Sequence, residues 1–300
     1  MTISPSPRRY LMCRPTHFAV TYRINPWMDP TAPYDNALAV SQWENLRQTF
    51  LDLGHTVELI DPLPGLPDMV FAANGATVVD GRVLGVQFRD AERADEAPAY
   101  AAWFRERGFA VTEPKHTNEG EGDILLAGDI LLAGTGFRTA HAAHAETQEV
   151  LRRPVITLQL VDPAYYHLDT ALCVLDDTNV AYLPQAFSPG SQAVLRQRHS
   201  RVCGPGDIAA QRQDRFGRAF HNQAVTRDDG HAPPAGGERK ALGDHDRDGL
   251  LRRKTGNHLL AQVCRVAVEQ GLIGENVDLG ILRLRQEKGA FLQIQIFTLR

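Results

Sequence analysis

The run Glu119-Gly120-Glu121-Gly122-Asp123 and, further along the chain, His167-Leu168-Asp169 concentrate ionisable side chains in two short stretches that have no obvious structural use for them. Carboxylates spaced by glycine let backbone approach a ligand closely, and acidic groups presented in that way suit a cation. If His167 and Asp169 stood on one strand, the period of two would point both side chains to the same face. Each stretch alone reads equally as an acidic surface turn or a solvated strand end. What separates these readings is the set of elements that must position the residues.

Those elements are legible. Tyr10 to Cys13 reads as a strand, followed by a loop over His17 to Pro33. Asp35 or Asn36 can cap a helix whose apolar residues Leu38, Val40, Trp43 and Leu46 recur at roughly helical spacing, and Gly54 ends it. Thr56 to Ile60 is a strand. Phe71 to Val79 and Arg82 to Phe88 flank Asp80-Gly81, a hairpin signal; a helix from Ala94 to Arg107 and a strand from Phe109 to Thr112 follow. The order then repeats. Ile124 to Leu126 and Ile130 to Leu132 pair across Gly128-Asp129, Ala142 to Arg152 is helical, and Val155 to Leu160 is extended. A further pair, Asp169 to Leu175 and Val180 to Leu183, precedes a helix that begins near Ser188. Hairpin, helix and strand thus form a unit of roughly 50 to 60 residues, which points to a pseudo-symmetric α/β array. In such an array polar loops at one end of the strands converge on the axis. Asp68, Asn74, Glu119, Glu121, Asp123, His167 and Asp169 all fall in or beside predicted strands, mostly at their ends.

Composition frames the rest. With 43% hydrophobic and 23% charged residues and a net charge of -4, the chain has the make-up of a globular protein, with no nucleic-acid footprint and no membrane span. Four widely spaced cysteines, Cys13, Cys173, Cys203 and Cys264, form no zinc or disulfide pattern, and a reducing cytoplasm is the default compartment. His141 and His144 lie within one helical turn, but no third ligand accompanies them and they read as surface residues. The sequence changes near residue 200. All seven tyrosines and all three tryptophans lie before it. The first 200 residues carry 16 Lys and Arg against 24 Asp and Glu, and the last 100 carry 16 against 12. Between Pro205 and Lys254 apolar residues are sparse and unpatterned, a composition that can hardly bury a core. The expected division is an α/β region over residues 1–199 and an unrelated, largely unpacked tail over 200–300.

Taken together and in this order, Asp68-Met-Val-Phe71-Ala-Ala-Asn74-Gly75, Glu119-Gly-Glu121-Gly-Asp123, Phe137-Arg138-Thr139 and His167-Leu-Asp169-Thr170 resemble the guanidino-group-modifying superfamily. Its members include dimethylarginine dimethylaminohydrolases, arginine deiminases, arginine dihydrolases and amidinotransferases. The resemblance covers about residues 12–198. Met12-Cys13-Arg14-Pro15 through Asn25-Pro26-Trp27-Met28 is similar to a bacterial branch near the arginine dihydrolases. The fold it implies is a pentein-type α/β propeller of five ββαβ units, here expected to be incomplete, with an atypical C-terminal tail.

The resemblance also implies a chemistry and roles. A guanidinium is a planar delocalised cation, so it must be held against carboxylates while a thiolate reaches its carbon. His167 matches the residue that protonates the departing amine and then activates water. Asp68 and Asp169 match carboxylates that pair with guanidinium nitrogens, with Asp123 among the substrate-binding residues. Glu121 or Glu119 binds substrate and steadies the histidine, with Glu121 preferred as the catalytic acid and Glu119 as a substrate contact. Arg138 and Arg89 match cations that grip the amino acid's carboxylate, and Phe71 lies against the substrate. Asn74 stands where dimethylaminohydrolases and deiminases carry an acid and where arginine dihydrolases carry asparagine. The expected partner is a small molecule, arginine or a methylated arginine, without metal or organic cofactor; oligomers occur in the superfamily.

The nucleophile remains unassigned. The superfamily places a cysteine after a Gly-rich loop near the C-terminus, and no segment here matches. Cys13 and Cys173 fall in apolar strands and read as core, while Cys203 and Cys264 lie past the break in unrelated surroundings. The compositional break and the loss of the motif coincide, which is read as a shift of reading frame near His199.

Overall fold

The computed structural model describes residues 7–174, 176–198, 281–285, 291–295 and 297–299. Strand β1 (Arg9–Cys13) leads through a long loop to helix α1 (Asn36–Asp52) and back to β2 (Thr56–Ile60), which pairs in parallel with β1. Asp35 caps α1 by accepting from the Leu38 backbone N–H at 3.0 Å. The next unit is β3 (Thr77–Val79), β4 (Arg82–Leu84), α2 (Glu96–Glu106) and β5 (Ala110–Thr112). The third is β6 (Ile124–Ala127), β7 (Ile130–Thr135), α3 (Ala142–Leu151) and β8 (Val155–Gln159). In both units the hairpin is antiparallel and the strand after the helix pairs in parallel with the hairpin's second strand. A fourth hairpin, β9 (Leu172–Val174) with β10 (Val180–Tyr182), precedes α4 (Pro189–Arg198).

Three strands lie within the segment expected to be unpacked. Strands β11 (Ile281–Arg285) and β12 (Phe291–Gln295) pair antiparallel, and β13 (Phe297–Leu299) pairs antiparallel with β1. With β13 added, the first sheet acquires the same order as the second and third. The rest of that segment, including Cys203 and Cys264, lies outside the described residues.

The hairpin strands β3, β4, β6, β7, β9 and β10 are buried on both faces, which explains apolar runs such as Ile124-Leu-Leu-Ala127 and Ile130-Leu-Leu-Ala133 where a half-exposed strand would alternate. In β1, Tyr10 and Met12 pack with Trp43, Leu46 and Phe50 of α1, while Leu11 and Cys13 face the next unit. Helix α2 brings Tyr100 and Phe104 to Leu11, Cys13 and Ile60 of the first unit and to Val78 and Val83 of its own. Helix α3 sets Leu151 among Val79 and Leu84 of the second unit and Ile124, Leu131 and Ala133 of its own. Each of these helices therefore wedges between its own sheet and the preceding one, the packing of a propeller. No helix among the described residues is long and apolar enough to cross a membrane.

Two expectations are corrected. Strands were expected from Phe71 and from Asp169, yet β3 and β9 begin only at Thr77 and Leu172. The preceding residues form single 3-10 turns at Ala72–Gly75 and Leu168–Thr170, matched by Gly120–Gly122 before β6. His167 and Asp169 therefore share a turn rather than a strand face. Within that turn Leu168 N–H donates to Asp123 Oδ1 of the neighbouring turn, and Thr170 N–H to the His167 carbonyl, instead of to a ladder. Second, His144 is not a surface residue. It is buried, with Nδ1 2.8 Å from Thr157 Oγ1 and Nε2 3.1 Å from the Gly134 carbonyl, whereas His141 is exposed.

Candidate functional site

The three 3-10 turns are equivalent positions of successive units, and they meet. Glu121 N–H donates to the Ala76 carbonyl at 3.0 Å, and Asn74 Nδ2 donates to the Glu119 carbonyl at 3.0 Å. The glycines of the acidic run make this possible. Gly120 has φ +59°, and a Cβ there would lie 2.4 Å from the Ala76 carbonyl oxygen and 2.7 Å from that of Ala73. A Cβ on Gly122 would lie 2.2 Å from Asn74 Nδ2. Gly120→Ala is accordingly expected to cost about 2–3 kcal/mol, because left-handed strain adds to overpacking against rigid backbone. Urea unfolding checks it, and a midpoint equal to the parent's would contradict the packing described.

His167 is buried between two carboxylates. Its Nε2 lies 3.3 Å from Glu119 Oε2, and its Nδ1 lies 3.3 Å from Asp123 Oδ1, close enough for an ion pair though not aligned as a hydrogen bond. Burial alone would lower the imidazole's pKa. The charges of Asp123 and Glu119 outweigh it and hold His167 up at about 9, so the ring is an imidazolium at neutral pH. Glu119 shows the reciprocal effect: burial favours its neutral form, but contact with His167 and the charges of His167, Arg138 and Arg93 hold it down at about 2. Asp123 is anchored further, accepting from Thr139 N–H at 3.2 Å and from the Thr139 hydroxyl at 2.7 Å.

Arg138 NH1 lies 3.1 Å from Glu119 Oε2 and 3.0 Å from Asp90 Oδ2. Its NH2 donates to the Ile24 carbonyl at 2.8 Å, and the guanidinium stacks 4.9 Å over Tyr166. Arg89 is exposed and donates to the Phe137 carbonyl. Asp68 is buried; its Oδ2 accepts from the Tyr22 hydroxyl at 2.9 Å, while Oδ1 has no hydrogen-bond partner. Burial raises the Asp68 pKa, against the pull of nearby Arg93. Phe71 is half-buried, edge-on to Phe18 at 6.3 Å. Asp169 is buried, and Glu121 is half-exposed. Glu119, rather than the favoured Glu121, is the glutamate set against His167.

Sequence reasoning passed over Arg93 and Glu96. Both are buried, and the guanidinium donates to Glu96 at 2.9 and 2.7 Å, to Asn74 Oδ1 at 2.9 Å and to the Asp68 carbonyl at 3.2 Å. Arg93 also lies 4.5 Å over the Phe88 ring. Tyr22 and Thr139 were likewise assigned no role. Among the described residues no group of His, Cys, Asp and Glu is arranged to hold a metal ion.

No family model matches the chain. The N-terminal domain of ArgZ, an arginine dihydrolase of the ornithine-ammonia cycle in cyanobacteria, superposes with a TM-score of 0.63 in its substrate-bound and product-bound structures. It is 37% identical, over 66% of this chain and 75% of that one. The chain belongs to the guanidino-group-modifying superfamily. Another relative in this superfamily is the N(G),N(G)-dimethylarginine dimethylaminohydrolase of Mycobacterium tuberculosis, 53% identical over 192 residues, 64% of either chain. The fold extends to the Pseudomonas aeruginosa enzyme of that name, at a TM-score of 0.55 and 16% identity. The chain thus spans less than two thirds of the mycobacterial protein, and 28% of the bifunctional arginine dihydrolase/ornithine cyclodeaminase ArgZ of Synechocystis. A match to an uncharacterized Caenorhabditis elegans protein, 31% identical, takes in 76% of this chain and so reaches past residue 199.

Proposed function

We propose that the three turns hold the guanidinium of arginine or of a methylated arginine, and that the chain is a cysteine-type hydrolase of that group. The observation that carries this reading is a charge imbalance. Among the described residues the buried acids Asp68, Glu96, Glu119 and Asp123 outnumber the buried cations Arg93, Arg138 and His167, even with the imidazole charged. A planar cation placed against Asp68 would relieve that excess and give the orphan Oδ1 a donor. In the hydrolysis, a thiolate sulfur bonds to the guanidino carbon as a carbon–nitrogen bond breaks, and the His167 imidazolium gives its proton to the departing amine. The neutral imidazole then takes a proton from the water that displaces sulfur. Glu119 and Asp123 stabilise the charged ring. Arg138 and Arg89 are the cations proposed for the substrate's carboxylate, with Asp169 and Phe71 as further contacts.

The thiolate is proposed to come from beyond residue 199. Cys13 is buried in the core and its thiol is pushed up to about 12 by burial and by Glu96 and Asp61, and Cys173 is buried in β9. That burial of both described thiols favours one alternative, a guanidino-binding protein without turnover whose residues 200–300 are read in a shifted frame. Transcript sequencing tests the frame directly.

Calorimetric titration with L-arginine and with dimethylarginine tests the binding. Saturable binding is expected, weakening as acid protonates Asp68, whose carboxyl pKa burial raises above its ordinary value. Ligand at 100 times its Kd should add about 2.7 kcal/mol to stability. Absence of both heat and stabilisation with either ligand defeats the proposal. Labelling of a single cysteine by a haloacetamidine, with citrulline or ornithine detected by mass, identifies the hydrolase; binding without labelling identifies the alternative.

A further inference from the structure

Thr139 touches both arms of the clamp around His167. Its hydroxyl accepts from the Glu119 backbone N–H at 3.1 Å and donates to Asp123 Oδ2 at 2.7 Å, while its own N–H donates to the same oxygen at 3.2 Å. The side chain is buried, and its carbonyl is held by the buried Thr135 hydroxyl at 2.8 Å. With Oδ2 taken by Thr139, the other oxygen of Asp123 is left to face the Leu168 N–H and His167 Nδ1.

We propose that Thr139 is a positioning residue for His167: its hydroxyl joins the backbone of Glu119 to the carboxylate of Asp123, so that two acids from one turn close on the imidazole from opposite sides as a single rigid part. A hydroxyl is suited to this because it accepts and donates at once, which neither valine nor alanine can do. Without it the Glu119 N–H loses its acceptor, and the Asp123 carboxylate loses one of the three hydrogen bonds that fix its rotation about the Cβ–Cγ bond. The groups facing His167 are Glu119 and Asp123 in contact and the Tyr166 ring 4.9 Å away; Arg138 lies behind Glu119. Of these, only the two acids are tied to Thr139.

The inference concerns the state of His167 and holds whether or not a guanidino compound is bound or hydrolysed. The test is the imidazole titration followed by NMR in the full chain. Thr139→Val keeps the volume and removes the hydroxyl, and should lower the His167 pKa by about one unit, the equivalent of one hydrogen bond to a charged group. Thr139→Ser should restore the parent titration. Thr135→Val removes a neighbouring buried hydroxyl that does not touch Asp123, so it should destabilise the protein without moving the titration. If valine is not accommodated, Thr139→Ala set against Thr139→Ser gives the same contrast. A titration unmoved in the variant lacking the hydroxyl, or moved equally by Thr135→Val, overturns the proposal. In that case failure of arginine binding remains a separate result, read from the calorimetry.

Discussion

Asp123→Ala is expected to lower the unfolding free energy by about 3–5 kcal/mol, the range for removing one partner of a buried ion pair. The carboxylate accepts from Leu168 N–H, Thr139 N–H and the Thr139 hydroxyl, and it lies 3.3 Å from a charged imidazole. Alanine leaves the Leu168 and Thr139 N–H groups and the Thr139 hydroxyl without this acceptor. Against a typical total of about 5–15 kcal/mol, such a loss places the protein near its folding threshold. Asp123→Asn, which keeps volume and one acceptor oxygen, should fall between parent and alanine. Asp129 provides the contrast: it is 92% exposed beside Arg153, and its removal should leave the urea midpoint unchanged. Equal midpoints for Asp123→Ala and the parent would show that the carboxylate is not the anchor of the turn.

The second large effect is the loss of stability at alkaline pH. His167 is raised from an ordinary 6.5 to about 9. Its contribution is therefore complete below the unfolded value and disappears as pH rises through the folded one. The linkage amounts to about 3 kcal/mol between those limits, given about 1.4 kcal/mol per unit. Glu119, lowered from 4.5 to about 2, behaves in the opposite sense: its contribution is complete above 4.5 and disappears as pH falls through the folded value. These are largely two views of one contact and are counted once. The stability curve should be flat between the two ordinary values and fall on both sides. Melting temperatures of the parent and of His167→Gln measured from pH 6 to 10 provide the check. The variant should lack most of the alkaline fall, and parallel curves would remove His167 as its cause.

The sequence carried the succession of elements well, because hairpin turns, helix caps and apolar runs are local signals. Asp80-Gly81 illustrates this: both residues adopt positive φ, 50° and 75°, as a tight hairpin requires. The 3-10 turns were not legible as such. Their residues read as strand extensions, and what diverts them is contact with the neighbouring turn, a tertiary fact. The same cause hid Arg93 and Glu96, which look like ordinary charges at the start of an exposed helix until Phe88 and Asn74 close over them. The choice between Glu119 and Glu121 had the same difficulty, since the two are only two residues apart and the turn decides which side chain faces inward. His144 could have been recognised, because it shares a helical face with the buried Thr147 and Leu151.

The wedged helices have a consequence for how the molecule comes apart. Tyr100 and Phe104 belong as much to the sheet before α2 as to its own, and Leu151 repeats the relation one unit later. Pulling the second or third unit away would expose apolar side chains of the preceding unit as well as its own, so a breach there spreads to its neighbour. The array should therefore hold or fail as a whole, and a fault introduced at α2 would be felt by strands more than one unit distant.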